Sequence, residues 1–162
     1  MSKWDETNAK VIAEFRANHG RVGGHYDGWP MLILHTTGAK SGRAHISPLV
    51  YLPAGERARG GMVIIASAGA QPMHPAWYHN LVANPEVTVE VGDETVAATA
   101  RVATGPERDA LYARQAERFP FFAGYEKKAA RTIPVVVLEP TAGTEGRAAG
   151  SEVTDRAGDI RR

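Results

Sequence analysis

Cysteine is absent from all 162 residues. That excludes disulfides, thiolate metal sites and a cysteine nucleophile, and it suits a cytoplasmic protein. No apolar run approaches the roughly 18 residues of a membrane-spanning helix, and the start of the chain lacks the basic and apolar regions of a signal peptide. The expectation is a soluble, unexported protein. An excess of one charge is also missing: 19 Lys+Arg against 18 Asp+Glu give a net charge of +1, too balanced for a general nucleic-acid binder. Any positive site must be local.

Several familiar motifs are missing too. A Walker loop fails because Ala39, not glycine, precedes Lys40-Ser41 and Leu34 occupies the place of the earlier glycine. The segment that follows is strand-like and contains Pro48, so no helix N-terminus would receive the phosphates, and an ATPase is not expected. No Gly-x-Ser-x-Gly elbow supports Ser/His/Asp hydrolysis. Six histidines are present, but His74 and His79 are five apart, which separates them around a helix axis. His19, His25, His35 and His45 have no carboxylate at ligand spacing, so no metal site is expected.

What is present is an abrupt turn between two apolar runs. Met31-Leu32-Ile33-Leu34 gives way to Thr36-Thr37-Gly38-Ala39-Lys40-Ser41-Gly42-Arg43, and Ile46-Ser47-Pro48-Leu49-Val50-Tyr51-Leu52 resumes the apolar pattern. Two glycines would let the backbone curl so that successive N–H groups face an anion, with Lys40 and Arg43 adding charge. The turn therefore reads as a phosphate grip. The same residue types also make ordinary surface hairpins, and turn chemistry alone leaves both readings open.

Around this turn the patterning is α+β. Trp4, Val11, Ile12 and Phe15 form a helical stripe over residues 3–18, ended by Gly20 and Gly23-Gly24. The stripe suits a helix covering the core, with weak peripheral membrane contact as a lesser alternative. Strands are expected at 31–37, 44–52 and 62–68, with a loop at 55–61. A helix at 75–83 is stopped by Asn84-Pro85. Val87–Val91 and Val96–Val102 alternate as a hairpin about Gly92-Asp93. Thr104 and Glu107 form a capping box opening a helix to about Arg118. A short helix over 121–130 and a final strand over 133–138 follow, with Pro134 at an edge or unpaired position. The sum is a small antiparallel barrel of about six strands with an N-terminal helix and inserted covering helices. It fills one domain, 1–140, followed by a tail at 141–162 with little to bury and expected to be flexible.

Three further features suggest a pocket. Ala66-Ser67-Ala68-Gly69-Ala70 would let a flat ligand approach the backbone; Pro75-Ala76-Trp77-Tyr78 follows closely; and Phe119, Phe121, Phe122 and Tyr125 crowd seven residues. Trp77, Tyr78 and the later aromatics could equally be core. Together these features describe a site for a flat ring with a phosphate tail. No general acid–base pair is apparent, which fits an enzyme whose cofactor supplies the chemistry.

The run from Leu34 to Arg43, the Ser47-Pro48-Leu49 strand, Ile65-Ala-Ser67, the stretch from Pro75 to Leu81, Ala83-Asn-Pro85 and Arg131-Thr-Ile-Pro134 resemble, in order, the deazaflavin-dependent nitroreductase family. That family belongs to the flavin/deazaflavin oxidoreductases of the split β-barrel superfamily, and the likeness covers about residues 10–140. The resemblance implies a split barrel binding coenzyme F420, whose reduced form passes hydride from ring carbon C5 to quinones, activated enones or nitroaromatics. It implies Lys40 and Arg43 at the anionic tail, helped by Ala39, Ser41 and nearby amides. Pro48 and Val50 would lie along the cofactor groove, and Ala66, Ser67 and Ala68 beside the ring. Pro75, Ala76 and Trp77 would close over the ring. Tyr125 would face the substrate as candidate proton donor or hydrogen-bonding group. The chain departs from the pattern at Phe119 and Phe122, where nitroimidazole reducers often carry tyrosines, and at Ala68, where they carry lysine. Those departures bear on nitro activation and on grip of a long oligoglutamate tail. The alternatives are FMN in the same fold, or a non-catalytic deazaflavin-binding protein.

Overall fold

The computed structural model describes residues 3–53, 61–68, 72–129 and 131–141. Residues 55–60 of the loop expected at 55–61, the tail beyond 141, Gly69 and Ala70, and the side chain of Trp4 lie outside the described residues. Helix α1 (Lys3–Ala17) leads through a 3-10 turn (Gly24–Tyr26) to strands β1 (Met31–Thr37), β2 (Ala44–Val50), β3 (Leu52–Pro53) and β4 (Met62–Ile65). Helix α2 (Ala76–Ala83) precedes the hairpin β5 (Glu86–Val91) and β6 (Glu94–Ala103). Helices α3 (Gly105–Arg118) and α4 (Phe121–Lys128) and strand β7 (Val135–Pro140) complete the domain.

The strands form one antiparallel sheet in the order β2-β1-β5-β6-β7-β4-β3. The two edge strands are consecutive in the chain. Only Tyr51 separates them, and its N–H donates to the Pro30 carbonyl at 3.0 Å instead of continuing a ladder. One bent run therefore pairs with β1 through its first half and with β4 through its second, which curls the sheet into a barrel. This bend explains seven strands where about six were expected. Pro48, opposite Ile33, lies on the β2 edge, where a missing N–H disrupts no second partner. Pro134 falls just before β7, so the ladder begins after it, as its missing donor requires.

Both faces of the sheet are covered, so β4 is buried throughout and β7 nearly so. Leu32, Leu34, Met62, Ile64, Val87, Val89, Val136 and Leu138 fill the interior, joined by Trp77 and Leu81 of α2. Val63, Ile65, Val135 and Val137 face outward against Tyr112, Phe119 and Phe122 of the α3–α4 segment. Val11, Ile12 and Phe15 of α1 cover Met31 and Ile33. Val11, Ile12 and Phe15 of the α1 stripe are thus used for packing. Arg16 grips Glu90 through two bonds of 3.1 and 2.7 Å, and His35 Nε2 lies 2.5 Å from the same carboxylate.

One helix signal is overridden. Thr104 is the N-cap of α3, yet its side chain makes no capping bond. Glu107 is held instead by Arg101 of β6, at 2.7 and 2.9 Å, so the expected capping box does not form. A charge-assisted bidentate pair outcompetes a single neutral cap.

Candidate cofactor-binding site

The turn between β1 and β2 is built by its own hydrogen bonds. The Gly38 N–H donates to the Arg43 carbonyl (2.7 Å), the Gly42 N–H to the Gly38 carbonyl (3.1 Å), and the Arg43 N–H to Ser41 Oγ (3.1 Å). Gly42 alone of the two glycines uses positive φ, at +71°. Gly38 is required by space: a Cβ there would lie 2.5 Å from Ser41 Oγ and 3.0 Å from His45 Nε2. The expectation that both glycines serve the curl is corrected accordingly. So is the row of free amides, because those of Gly38, Ala39, Gly42 and Arg43 are engaged within the protein.

Asn80 of α2 decides where this turn sits. Its Oδ1 accepts from the Ala39 N–H at 3.0 Å, and its Nδ2 donates to Thr36 Oγ1 at 3.3 Å. Asn84 adds a bond to the Thr37 carbonyl at 3.3 Å. Between turn and helix lies an open cleft of about 490 Å³ lined by Gly38, Ala39, Lys40, Ser41, His45, Ala76, His79 and Asn80. Lysine, hydroxyl, imidazole and amide side chains converge there without a carboxylate, a donor set that suits an anion. The cleft unites Ala39, Lys40, Ser41 and Ala76 from the sequence expectation. Arg43 is exposed and lies outside its lining.

The remaining expected residues occupy two other places. Pro48 and Val50 are half-buried on the β2 edge. Ala66 is fully buried in the barrel interior, and Trp77, 8% exposed, packs in the same cluster, so its indole is a core side chain. Ser67 and Ala68 are half-buried at the end of β4, and Pro75 caps α2. Ala68 adopts φ +49°, unusual for a residue with a Cβ. Arg131 reaches this segment, donating to the Ser67 carbonyl at 2.8 Å and to His74 Nδ1 at 2.7 Å. Burial, then the Arg131 charge, then His79 hold the His74 pKa below its usual 6.5.

Tyr125 lies on α4, half-buried, with its ring 5.4 Å from Phe121 and 5.5 Å from Phe122. Phe119 and Phe122 are core, and the Tyr112 hydroxyl donates to the Phe122 carbonyl at 2.6 Å. Burial raises the Tyr112 pKa to about 12. Phe121 remains 38% exposed and stacks on Trp29 at 5.6 Å. Two of the four late aromatics, Phe119 and Phe122, are therefore core, while Phe121 and Tyr125 form a partly open ledge with Trp29. No cluster of metal-ligating side chains occurs among the described residues.

Sequence reasoning weighed His45, His74 and His79 only as metal ligands and gave no site role to them, to Asn80 or to Trp29. Asn80 carried a legible signal, a polar residue on the same α2 face as Trp77 and Leu81. His74 and Arg131 meet across 57 residues, which no local pattern reveals.

A curled antiparallel barrel with an open, carboxylate-free cleft beside its first hairpin defines a split-barrel protein of the cofactor-binding class. The chain belongs to the F420H(2)-dependent quinone reductase family, whose model matches residues 8–140. An F420H(2)-dependent quinone reductase of Mycobacterium tuberculosis is 36% identical over 153 residues, spanning 85% of this chain and 97% of the relative. Among solved structures, an F420-H2 dependent reductase is 39% identical with a TM-score of 0.60, covering 68% of this chain and 94% of that one. A domain-swapped dimer is 35% identical with a TM-score of 0.62, covering 84% and 97% respectively.

Proposed function

We propose that this chain binds coenzyme F420 and directs hydride from its reduced form to a small electron-poor acceptor of the quinone type. The carrying observation is the cleft between the 38–43 turn and α2. Lys40, Ser41, His45, His79 and Asn80 converge in it without a carboxylate, which fits an anionic cofactor tail. Reduced coenzyme F420, when bound, supplies the hydride.

The residues then divide the work. Lys40 attracts the tail, Ala39 and Ser41 shape its seat, and Arg43 adds charge at the rim. Pro48 and Val50 border the groove. Ser67 and Ala68 form a shelf of small side chains against which a flat ring can lie, and Ala66, buried in the barrel, backs it. Pro75 and Ala76 bound the ring on the α2 side, and Trp77 supports them from within the barrel. Tyr125, beside exposed Phe121, offers a hydroxyl to an oxygen that gains negative charge as hydride arrives. The acceptor takes two electrons with the hydride and a proton from solvent or Tyr125, giving the hydroquinone. No described helix is long and apolar enough to cross a membrane, which accords with the cytoplasmic location this reading assigns.

Fluorescence titration tests the cofactor assignment, with coenzyme F420 expected to bind at least tenfold tighter than FMN. Equal affinity sinks it and favours the FMN alternative. Oxidation of the reduced cofactor by a simple naphthoquinone tests the activity. Absence of turnover with quinones, enones and nitroaromatics alike leaves a binding protein. Tyr125→Phe should slow quinone reduction; unchanged turnover with every acceptor removes Tyr125 from the reaction.

A further inference from the structure

The ladder between β4 and β7 ends at the Ile65–Val135 pair and is extended once, by the Ala66 N–H donating to the Pro134 carbonyl at 3.0 Å. Past that bond, Ser67 and Ala68 leave the sheet, and Ala68 takes the left-handed conformation at φ +49°. A side chain disfavours that conformation, so surrounding contacts must maintain it. Arg131 supplies them. Arching back from the approach to β7, its guanidinium donates to the Ser67 carbonyl (2.8 Å) and to His74 Nδ1 (2.7 Å).

The planar guanidinium spans two acceptors with fixed spacing, which a lysine ammonium cannot reproduce. Arginine is always a donor, so His74 Nδ1 must accept and the neutral ring carries its proton on Nε2. The His74 ring lies 4.8 Å from that of Tyr78 on α2, the helix whose Ala76, His79 and Asn80 line the tail cleft. One side chain thus joins the shelf at the end of β4, the approach to α2 and the approach to β7.

We propose that Arg131 is a positioning residue that sets the height and tilt of the Ser67–Ala68 shelf under the hydride-donating ring. This rests on the function proposed above. Hydride transfer depends steeply on the separation and alignment of the two carbons, and misplacement by about 1 Å can cost about 100-fold in rate. Affinity depends chiefly on the tail cleft, which Arg131 does not line.

The test uses Arg131→Gln, Arg131→Lys and His74→Gln in the full chain. Arg131→Gln is expected to slow single-turnover hydride transfer to a naphthoquinone at least tenfold while the coenzyme F420 Kd changes less than threefold. Arg131→Lys, whose compact ammonium lacks the planar two-pronged fork, should be slowed in the same direction. His74→Gln, which keeps an acceptor for the guanidinium, should stay within threefold of the parent rate. In protein without cofactor, amide hydrogen exchange at Ala66, whose N–H donates to the Pro134 carbonyl where the shelf leaves the sheet, should rise at least tenfold in Arg131→Gln, with Val89 and Leu138 unchanged. Parental transfer rate and Ala66 exchange in both Arg131 variants overturn the proposal. So does a parallel fall in rate, affinity and core protection, which marks general destabilisation. If the parent binds F420 no tighter than FMN, the functional reading fails, and the exchange measurement still decides whether Arg131 holds the shelf.

Discussion

Ala76→Glu should move stability and cofactor affinity in opposite directions. Ala76 is the first residue of α2, exposed, and part of the cleft lining. No acidic residue stands in the first turn of this helix. A carboxylate there meets the positive end of the helix dipole and the open N–H groups, adding about 0.3–1 kcal/mol of stability. On the function proposed above, the same carboxylate would face the anion assigned to Lys40. Two unit charges about 6 Å apart in an open, water-filled cleft repel by about 1 kcal/mol, or about five- to tenfold in affinity. Urea unfolding should therefore show an equal or higher midpoint, while F420 titration shows the weaker binding. The loss should shrink toward 1 M salt, where the screening length falls to about 3 Å. No general loss of structure produces that pair of changes. Parental affinity at low salt would refute the placement of the anionic tail in this cleft.

Further expectations follow from individual contacts. Asn80→Ala removes both the Ala39 and Thr36 bonds and strands the Thr36 hydroxyl, 4% exposed; chemical denaturation should show a loss of about 2 kcal/mol. A cycle with Thr36→Val should return a coupling of about 0.5–1 kcal/mol. Glu90→Gln weakens the Arg16 pair that fastens α1 to β5 and the His35 contact between β1 and β5. The Arg16 bond, before the His35 bond, holds the Glu90 pKa below its ordinary 4.5. Its stabilisation, about 1 kcal/mol after allowance for the half-exposed Arg16, is full above that pH and disappears as pH falls through the lowered value. Paired unfolding curves should converge accordingly in acid. Gly42→Ala meets open space and should cost about 1–2 kcal/mol for its φ of +71° alone. Gly20→Ala, whose Cβ would sit 2.7 Å from Gly92 Cα at φ +94°, should cost clearly more. His74 has a folded pKa below 6.5, so its contribution is present above that pH and lost as pH falls beneath it. Hydrogen exchange at Ala66 should be faster at pH 5 than at pH 7.5, after correction for intrinsic rates.

Much of the architecture could be read from local pattern. The first strand spans residues 31–37, as its apolar run and the turn chemistry after it required. The 44–52 run was legible as a strand, but its break at Tyr51 was not. A bend that moves a chain from one partner strand to another depends on where those partners lie, and the signal is the Pro30 carbonyl, far from any hairpin pattern. The Thr104 capping box was a sound local inference that lost to Arg101, a residue whose reach depends on β6 lying beside α3. Trp77 illustrates the same limit. Its helical position was clear, while its burial in the barrel interior required the barrel.

By itself, then, the sequence determined the elements and the kind of ligand. Periodicity places helices and strands because each buries one face, and the ordered set from Leu34 to Pro134 marks a deazaflavin-binding split barrel. Tertiary structure decided how the site is held. Asn80 meets Ala39 across 41 residues, Arg131 meets His74 across 57 and Ser67 across 64. Those contacts are made only after the barrel closes, since closure brings distant donors and acceptors within 3 Å. The sequence named Lys40 and Ser67, and the fold supplied the side chains that fix them in place.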